Sequence, residues 1–184
     1  MYRPYKIKPV VQILNFYTLF HAHYPQDYSF RGETHDFWEC FFVRKGEVRV
    51  SGNERVYVLK EGELILHQPQ ELHRFVVTSE GGADVLTFSF DGAGALLEEL
   101  KNSAFSLSDA QEGMLLPVIE AAEKEDFFCR TTAGHMKKDE TAGGRADRTS
   151  EDRVLYTASF CRCMDKSGWS RRRIPEARSS FGMR

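Results

Sequence analysis

A chain of 184 residues is long enough for one domain plus an appendage, and a hydrophobic content of 41% lets that domain have a core. A net charge of −2 gives no overall pull toward a polyanion, and no apolar run approaches the ~20 residues of a membrane-spanning helix. Residues 1–8 lack the apolar stretch of a signal peptide, and the four cysteines form no C-x-x-C pair, so a disulfide framework and a zinc finger are both excluded. The simplest setting is reducing and cytoplasmic.

The chain divides into three stretches. Residues 5–92 read as strands. Runs at 10–23, 37–43, 47–51, 55–59, 63–67, 72–78 and 85–90 are rich in β-branched and aromatic residues, and Lys45-Gly46, Gly52-Asn53, Glu61-Gly62, Gln68-Pro69-Gln70 and Gly81-Gly82 punctuate them. No helical pattern interrupts the series, which argues against βαβ units and for a closed or sandwiched antiparallel sheet. Residues 93–128 read as helical. A short helix is predicted over 93–102 with Leu96, Leu97 and Leu100 on one side. A longer one is predicted over 106–124, with Ser108 as its cap, Asp109 in its first turn, and Met114, Leu115, Val118, Ile119 and Ala122 at helical spacing. Pro117 inside that pattern predicts a kink or a shorter helix.

Residues 129–184 show neither period. From Arg130 onward 13 Lys and Arg stand against 7 Asp and Glu, a net of +6 that leaves −8 for the rest of the chain. This basic stretch is expected to be mostly disordered. Its abrupt loss of pattern suggests a truncated or frame-shifted reading frame from about Cys129, which resequencing the locus would test.

The residues with chemical potential gather early. Glu33, His35, Phe37 and Glu39 are evenly spaced, so on one strand they would share a face, with Trp38 and Cys40 on the other. Two carboxylates and an imidazole on one face are costly in a dry core, so this face is expected to line a wet cavity or the barrel mouth. His73 is predicted to begin a strand and to approach His35 across the barrel. His21-Ala22-His23 reads as an inter-strand or surface pair. His67 reads as a turn residue, Trp38, Phe41 and Phe42 as core, and Cys40 as an inert buried thiol. No nucleophile–base–orienter set, Gly-x-Ser-x-Gly elbow or phosphate loop is present, so no enzyme is expected.

In chain order, His35-Asp36-Phe37-Trp38-Glu39, the hairpin around Gly46-Glu47-Val48, the run from Tyr57 to Leu66, and Pro69-Gln70-Glu71-Leu72-His73 resemble the N-terminal sensor domain of AraC-type transcription regulators. The resemblance implies a mainly β, cupin-like double-stranded β-helix barrel of the jelly-roll type, followed by one or two helices and here by an irregular tail. It further implies an effector-binding barrel, with Glu33, His35, Phe37, Glu39 and His73 as ligand-binding residues and a sugar or polyol as the familiar effector class. A homodimer through the 106–124 helix is also implied. The family binds DNA through a C-terminal helix-turn-helix unit, and no stretch here has two apolar helices joined by a short turn, so DNA binding is not expected of this chain.

Metal-binding cupins resemble the same stretch. Against their pattern His35, Glu39 and His73 take three ligand positions, and Glu33 stands where the first histidine would be. The expected reading is that no metal or other cofactor is needed, and that these residues form a hydrogen-bonded network or touch an organic effector. The alternative is a small metal-dependent cupin enzyme, an isomerase or dioxygenase, holding Zn, Mn, Fe or Ni.

Overall fold

The computed structural model describes residues 11–101, 103–124 and 174–177. Nine strands and two helices occur among them, in the order β1 (Gln12–Tyr24), β2 (Ser29–Glu33), β3 (Trp38–Lys45), β4 (Glu47–Gly52), β5 (Arg55–Lys60), β6 (Glu63–His67), β7 (His73–Val77), β8 (Ala83–Ala93), α1 (Ala95–Leu100), β9 (Ala104–Ser106) and α2 (Asp109–Lys124). The ladders are antiparallel and form two sheets, β1-β8-β3-β6-β9 and β2-β7-β4-β5. This is the mainly β, jelly-roll arrangement of a cupin barrel, as the sequence predicts.

The five-stranded sheet is apolar on both faces. Phe41, Val43, Ile65 and Val85 point between the sheets, where they meet Val48, Val50, Tyr57, Leu59, Phe75 and Val77 of the four-stranded sheet. Trp38, Cys40, Phe42, Leu64, Leu66, Leu86, Phe88 and Phe90 point the other way, onto Leu96, Leu97 and Leu100 of α1, Phe105 of β9 and Leu115 of α2. Burial on both faces explains why β3 shows no polar–apolar alternation beyond Glu39. Each fully buried leucine under the helices contributes about 1.5–3 kcal/mol. The hairpin between β3 and β4 turns at Gly46 with φ +88°, and a Cβ there would lie 2.3 Å from the Gly82 carbonyl oxygen.

Four expectations need correction. First, residues 33–39 do not form one strand: β2 ends at Glu33 and β3 begins at Trp38, so His35 and Phe37 lie in the crossing between the two sheets. Glycine, two charged residues and a histidine between 32 and 36 give too weak a β pattern to continue the ladder. Second, β2 and β9 are strands where none was predicted, because each is too short to show a period against its polar surroundings. Third, His67 is the last residue of β6, buried and opposite Glu39, and not a turn residue. Fourth, α2 is not cut short at Pro117. A proline within a helix crowds the carbonyl four residues earlier, and here that residue is Gly113, which has no side chain to restrict its backbone.

Ser108 caps α2 as predicted. Its carbonyl accepts from the Gln111 and Glu112 N–H groups, while its own N–H and hydroxyl donate to Gln111 Oε1 at 2.9 and 2.8 Å. Of the predicted apolar stripe, Leu115 is buried and Met114 exposed, and the side chains of Val118, Ile119 and Ala122 lie outside the described residues. Apart from residues 174–177, the expectations for 129–184 also lie outside them, including Cys129, Cys161 and Cys163.

Candidate functional site

The inward face changes character toward one end of the barrel. The valine and leucine layer gives way to Glu39 on β3, His67 on β6, His73 on β7 and Gly52 on β4. Glu33 reaches in from the end of β2, and its register partner across the ladder is His73. His35 enters from the β2–β3 crossing. Glu33, His35, Glu39 and His73 each offer one ligand atom, and these atoms all lie within 4.8 Å of one another. Four of the five predicted site residues therefore converge through polar atoms, supplied by both sheets and by the crossing between them. Phe37, the fifth, flanks the cluster: its ring stacks on His35 at 3.9 Å and on Tyr17 at 4.5 Å.

The histidine tautomers follow from their partners. His35 Nδ1 lies 2.9 Å from the Phe37 carbonyl oxygen, and His73 Nδ1 lies 3.0 Å from that of Glu71. A carbonyl only accepts, so each Nδ1 carries the proton that is shared. Each Nε2 then turns toward carboxylates. His73 Nε2 is 3.4 Å from Glu39 and 3.7 Å from Glu33, and His35 Nε2 is 3.7 Å from Glu39. Neither Nε2 makes a hydrogen bond, although both are buried. Bare lone pairs facing carboxylate oxygens would repel, so the centre calls for positive charge or for donor groups.

A proton is one solution. Burial alone would lower the His73 pKa, but Glu33 and Glu39 outweigh it and bring the ring up to about 10. Burial likewise pushes Glu39 up, yet His35 and His73 bring it down to about 2. Glu39 and His73 thus form an ion pair inside the barrel, while the Glu33 carboxylate, 38% exposed, faces the solvent side.

Two further residues belong to this end of the barrel, and the sequence reading missed them as site residues. His67 stacks on His73 at 4.5 Å, with both its ring nitrogens buried and without a hydrogen bond. Glu71 is buried beside it, with Oε1 3.6 Å from His67 Nδ1 and Oε2 accepting the Gln68 N–H at 2.9 Å. Burial lowers the His67 pKa against the opposing pull of Glu71; the Glu71 carboxyl, despite its own burial, is held below its usual range chiefly by His67. Gly52 makes room for this pair, since a Cβ there would sit 1.6 Å from Glu71 Oε1. The available signal was parity: in β6 Ile65 faces inward, so His67 must as well.

Other candidates stay outside. His23 pairs with Asp84 of the neighbouring strand at 2.6 Å, the inter-strand contact predicted for the His-Ala-His segment. Cys40 is buried in the outer core.

Fold and site together define a β-barrel with a polar, charge-bearing cluster at one end of an apolar interior, the design of a small-molecule-binding cupin. The chain matches the family of AraC-like ligand binding domains over residues 16–123, and it belongs to that family. Membership marks it as a domain that binds a small-molecule effector. No curated protein matches it. Among solved structures it is similar to the cupin domain of Schizosaccharomyces pombe Cnp3, at 9% identity and a TM-score of 0.39, covering 48% of this chain and 57% of that one. It is also similar to a predicted oxalate decarboxylase of Thermotoga maritima, at 16% identity and a TM-score of 0.40, covering 44% and 77%. A third is the polyketide cyclase RemF of Streptomyces resistomycificus, at 18% identity and a TM-score of 0.37, covering 42% and 56%. The chain thus spans little more than half the length of the first and third.

Proposed function

We propose that this chain serves as the effector-sensing and dimerisation part of an AraC-type transcription regulator, and that it is not an enzyme. The observation that carries the reading is the convergence of Glu33, His35, Glu39 and His73, flanked by Phe37, at the end of the barrel in a chain of this family. The effector binds there. Acceptor carboxylates beside aromatic faces suit a ligand rich in O–H or N–H donors, such as a sugar or polyol. The helix α2 supplies the dimer contact in this reading, with Met114 and Leu116 exposed on it. The setting is cytoplasmic; no helix among the described residues is long and apolar enough to cross a membrane.

A thermal-shift screen of sugars, polyols and small acids on the full chain tests the proposal, because a ligand that binds only the folded state raises apparent stability. A hit whose shift disappears in Glu39→Gln supports it. A hit that survives in Glu39→Gln and in His73→Gln places the effector elsewhere and overturns the site.

A second reading is favoured by one specific observation: both His35 and His73 spend Nδ1 on a backbone carbonyl and leave Nε2 to the cluster. That is how a histidine is oriented for metal ligation. Two imidazoles and two carboxylates suit a divalent ion such as Zn, Mn, Fe or Ni, which would supply the positive charge that the centre calls for. In this reading His35, Glu39 and His73 hold the ion, with Glu33 as a fourth donor, and the protein is a metal-dependent cupin.

A further inference from the structure

We infer that the open seam between the two sheets, along β5 and β9, is a peptide-docking edge, and that its occupant is the Ile174–Ala177 segment of this same chain. The two sheets have two pairs of outer strands. On one side β1 and β2 are joined by a short connection, and Tyr24, Tyr28 and Phe75 pack beneath it. On the other side β9 ends the five-stranded sheet and β5 ends the four-stranded one. Each therefore turns one row of backbone groups away from its own ladder, which invites pairing with another extended chain.

Residues 174–177 answer both rows. The Ile174 N–H donates to the Ala104 carbonyl of β9 at 3.1 Å, and the Ala177 N–H donates to the Val56 carbonyl of β5 at 2.7 Å. Four residues thus bridge from one sheet to the other. The Ile174 side chain packs against the core cluster between the sheets, to which Ala104 itself belongs. Glu176 lies 3.6 Å from Arg55 on the exposed rim of β5. The local sequence suits the task. Pro175 keeps Ile174 extended and needs no N–H partner, so the donors at 174 and 177 are the ones that meet the edges. The segment lies outside the 16–123 family match, and 49 residues separate it from the end of α2.

Residue-resolved amide exchange on the full chain tests this. The Ile174 and Ala177 amides should exchange at least about tenfold more slowly than in an isolated peptide of the same sequence. They should do so equally after a roughly hundredfold dilution, because the segment and the seam are on one molecule. Free-peptide exchange at both positions overturns the docking. Protection that vanishes on dilution overturns the same-chain assignment and makes a second copy the source. Ile174→Asp should release the Ala177 amide while leaving the Leu86 amide in the outer core protected; Ala177 protection unchanged in that variant also overturns the inference.

Discussion

Gly52→Ala should destabilise the protein, against the usual effect of that substitution in a strand. Gly52 lies in β4 outside the left-handed region, so alanine fits its backbone and would ordinarily gain about 0.5–1 kcal/mol. Its new Cβ, however, would lie 1.6 Å from Glu71 Oε1 and 2.7 Å from Cδ, so the carboxylate has to leave. That breaks the 2.9 Å bond from the Gln68 N–H, a hydrogen bond to a charged group worth about 1.5–3 kcal/mol, and removes the one carboxylate facing His67 Nδ1. The net is a loss of about 1–2 kcal/mol. With Glu71→Ala already in place the obstacle is gone, the next atom being His67 Nδ1 at 3.4 Å, and Gly52→Ala should then stabilise by roughly 0.5–1 kcal/mol. Urea denaturation of the four proteins in the cycle measures this. The same sign and size of effect in both backgrounds would refute the claim that Gly52 exists to admit the Glu71 carboxylate.

The pH dependence of stability should carry the mark of His73. Its pKa is raised from 6.5 to about 10 in the fold, so its contribution is complete below 6.5 and is lost as pH climbs toward 10, at no more than about 1.4 kcal/mol per unit. Midpoints in urea should fall across that window in the parent and much less in His73→Gln; equal slopes would remove the His73–Glu39 pair as a source of stability. Addition of Zn or Ni to the full chain should raise Tm in the metal reading, by the equivalent of about 2.7 kcal/mol at a hundredfold excess over Kd, and Glu39→Gln should abolish the rise. No shift with any divalent ion leaves the organic-effector reading alone. If α2 mediates a dimer, size exclusion at about 100 µM should show one, and Leu116→Glu, which puts a charge on an exposed apolar position, should reduce it to a monomer. A monomeric parent rejects that assignment.

Most of the barrel was legible in the sequence because turn residues mark its strands. Lys45-Gly46, Gly52-Asn53 and Glu61-Gly62 fall at strand ends, and β6 spans the predicted residues. What escaped were elements whose existence depends on a distant partner. β2 has five residues, one of them glycine, and is a strand because β7 pairs with it; β9 has three and is a strand because β6 does. Local pattern cannot reveal such pairing. The site shows the same division. His35, Glu39 and His73 stood out because charged groups among aromatics are conspicuous. His67 and Glu71 did not, since the decisive facts about them are the register that sets His67 opposite Glu39 and the glycine on another strand that lets Glu71 fold in.

The even spacing of residues 33–39 picked out side chains that do converge, but not as one strand face, and the difference bears on function. A single strand face would have presented Glu33, His35 and Glu39 as a fixed row. Instead Glu33 belongs to the four-stranded sheet, Glu39 to the five-stranded sheet, and His35 to the crossing between them. Their separations therefore depend on how the two sheets sit against each other at this end of the barrel. A ligand that binds Glu33 and Glu39 together adds a link between the sheets, and one that replaces the His73 proton removes the ion pair that links them now. In the proposed reading, occupancy of the site would therefore bear on the spacing of the sheets, and the five-stranded sheet is the one on which α1 and α2 pack. That gives an effector a physical route from the barrel interior to the helices, through β3 and the outer core around Phe42 and Leu115, without requiring any contact between the effector and α2.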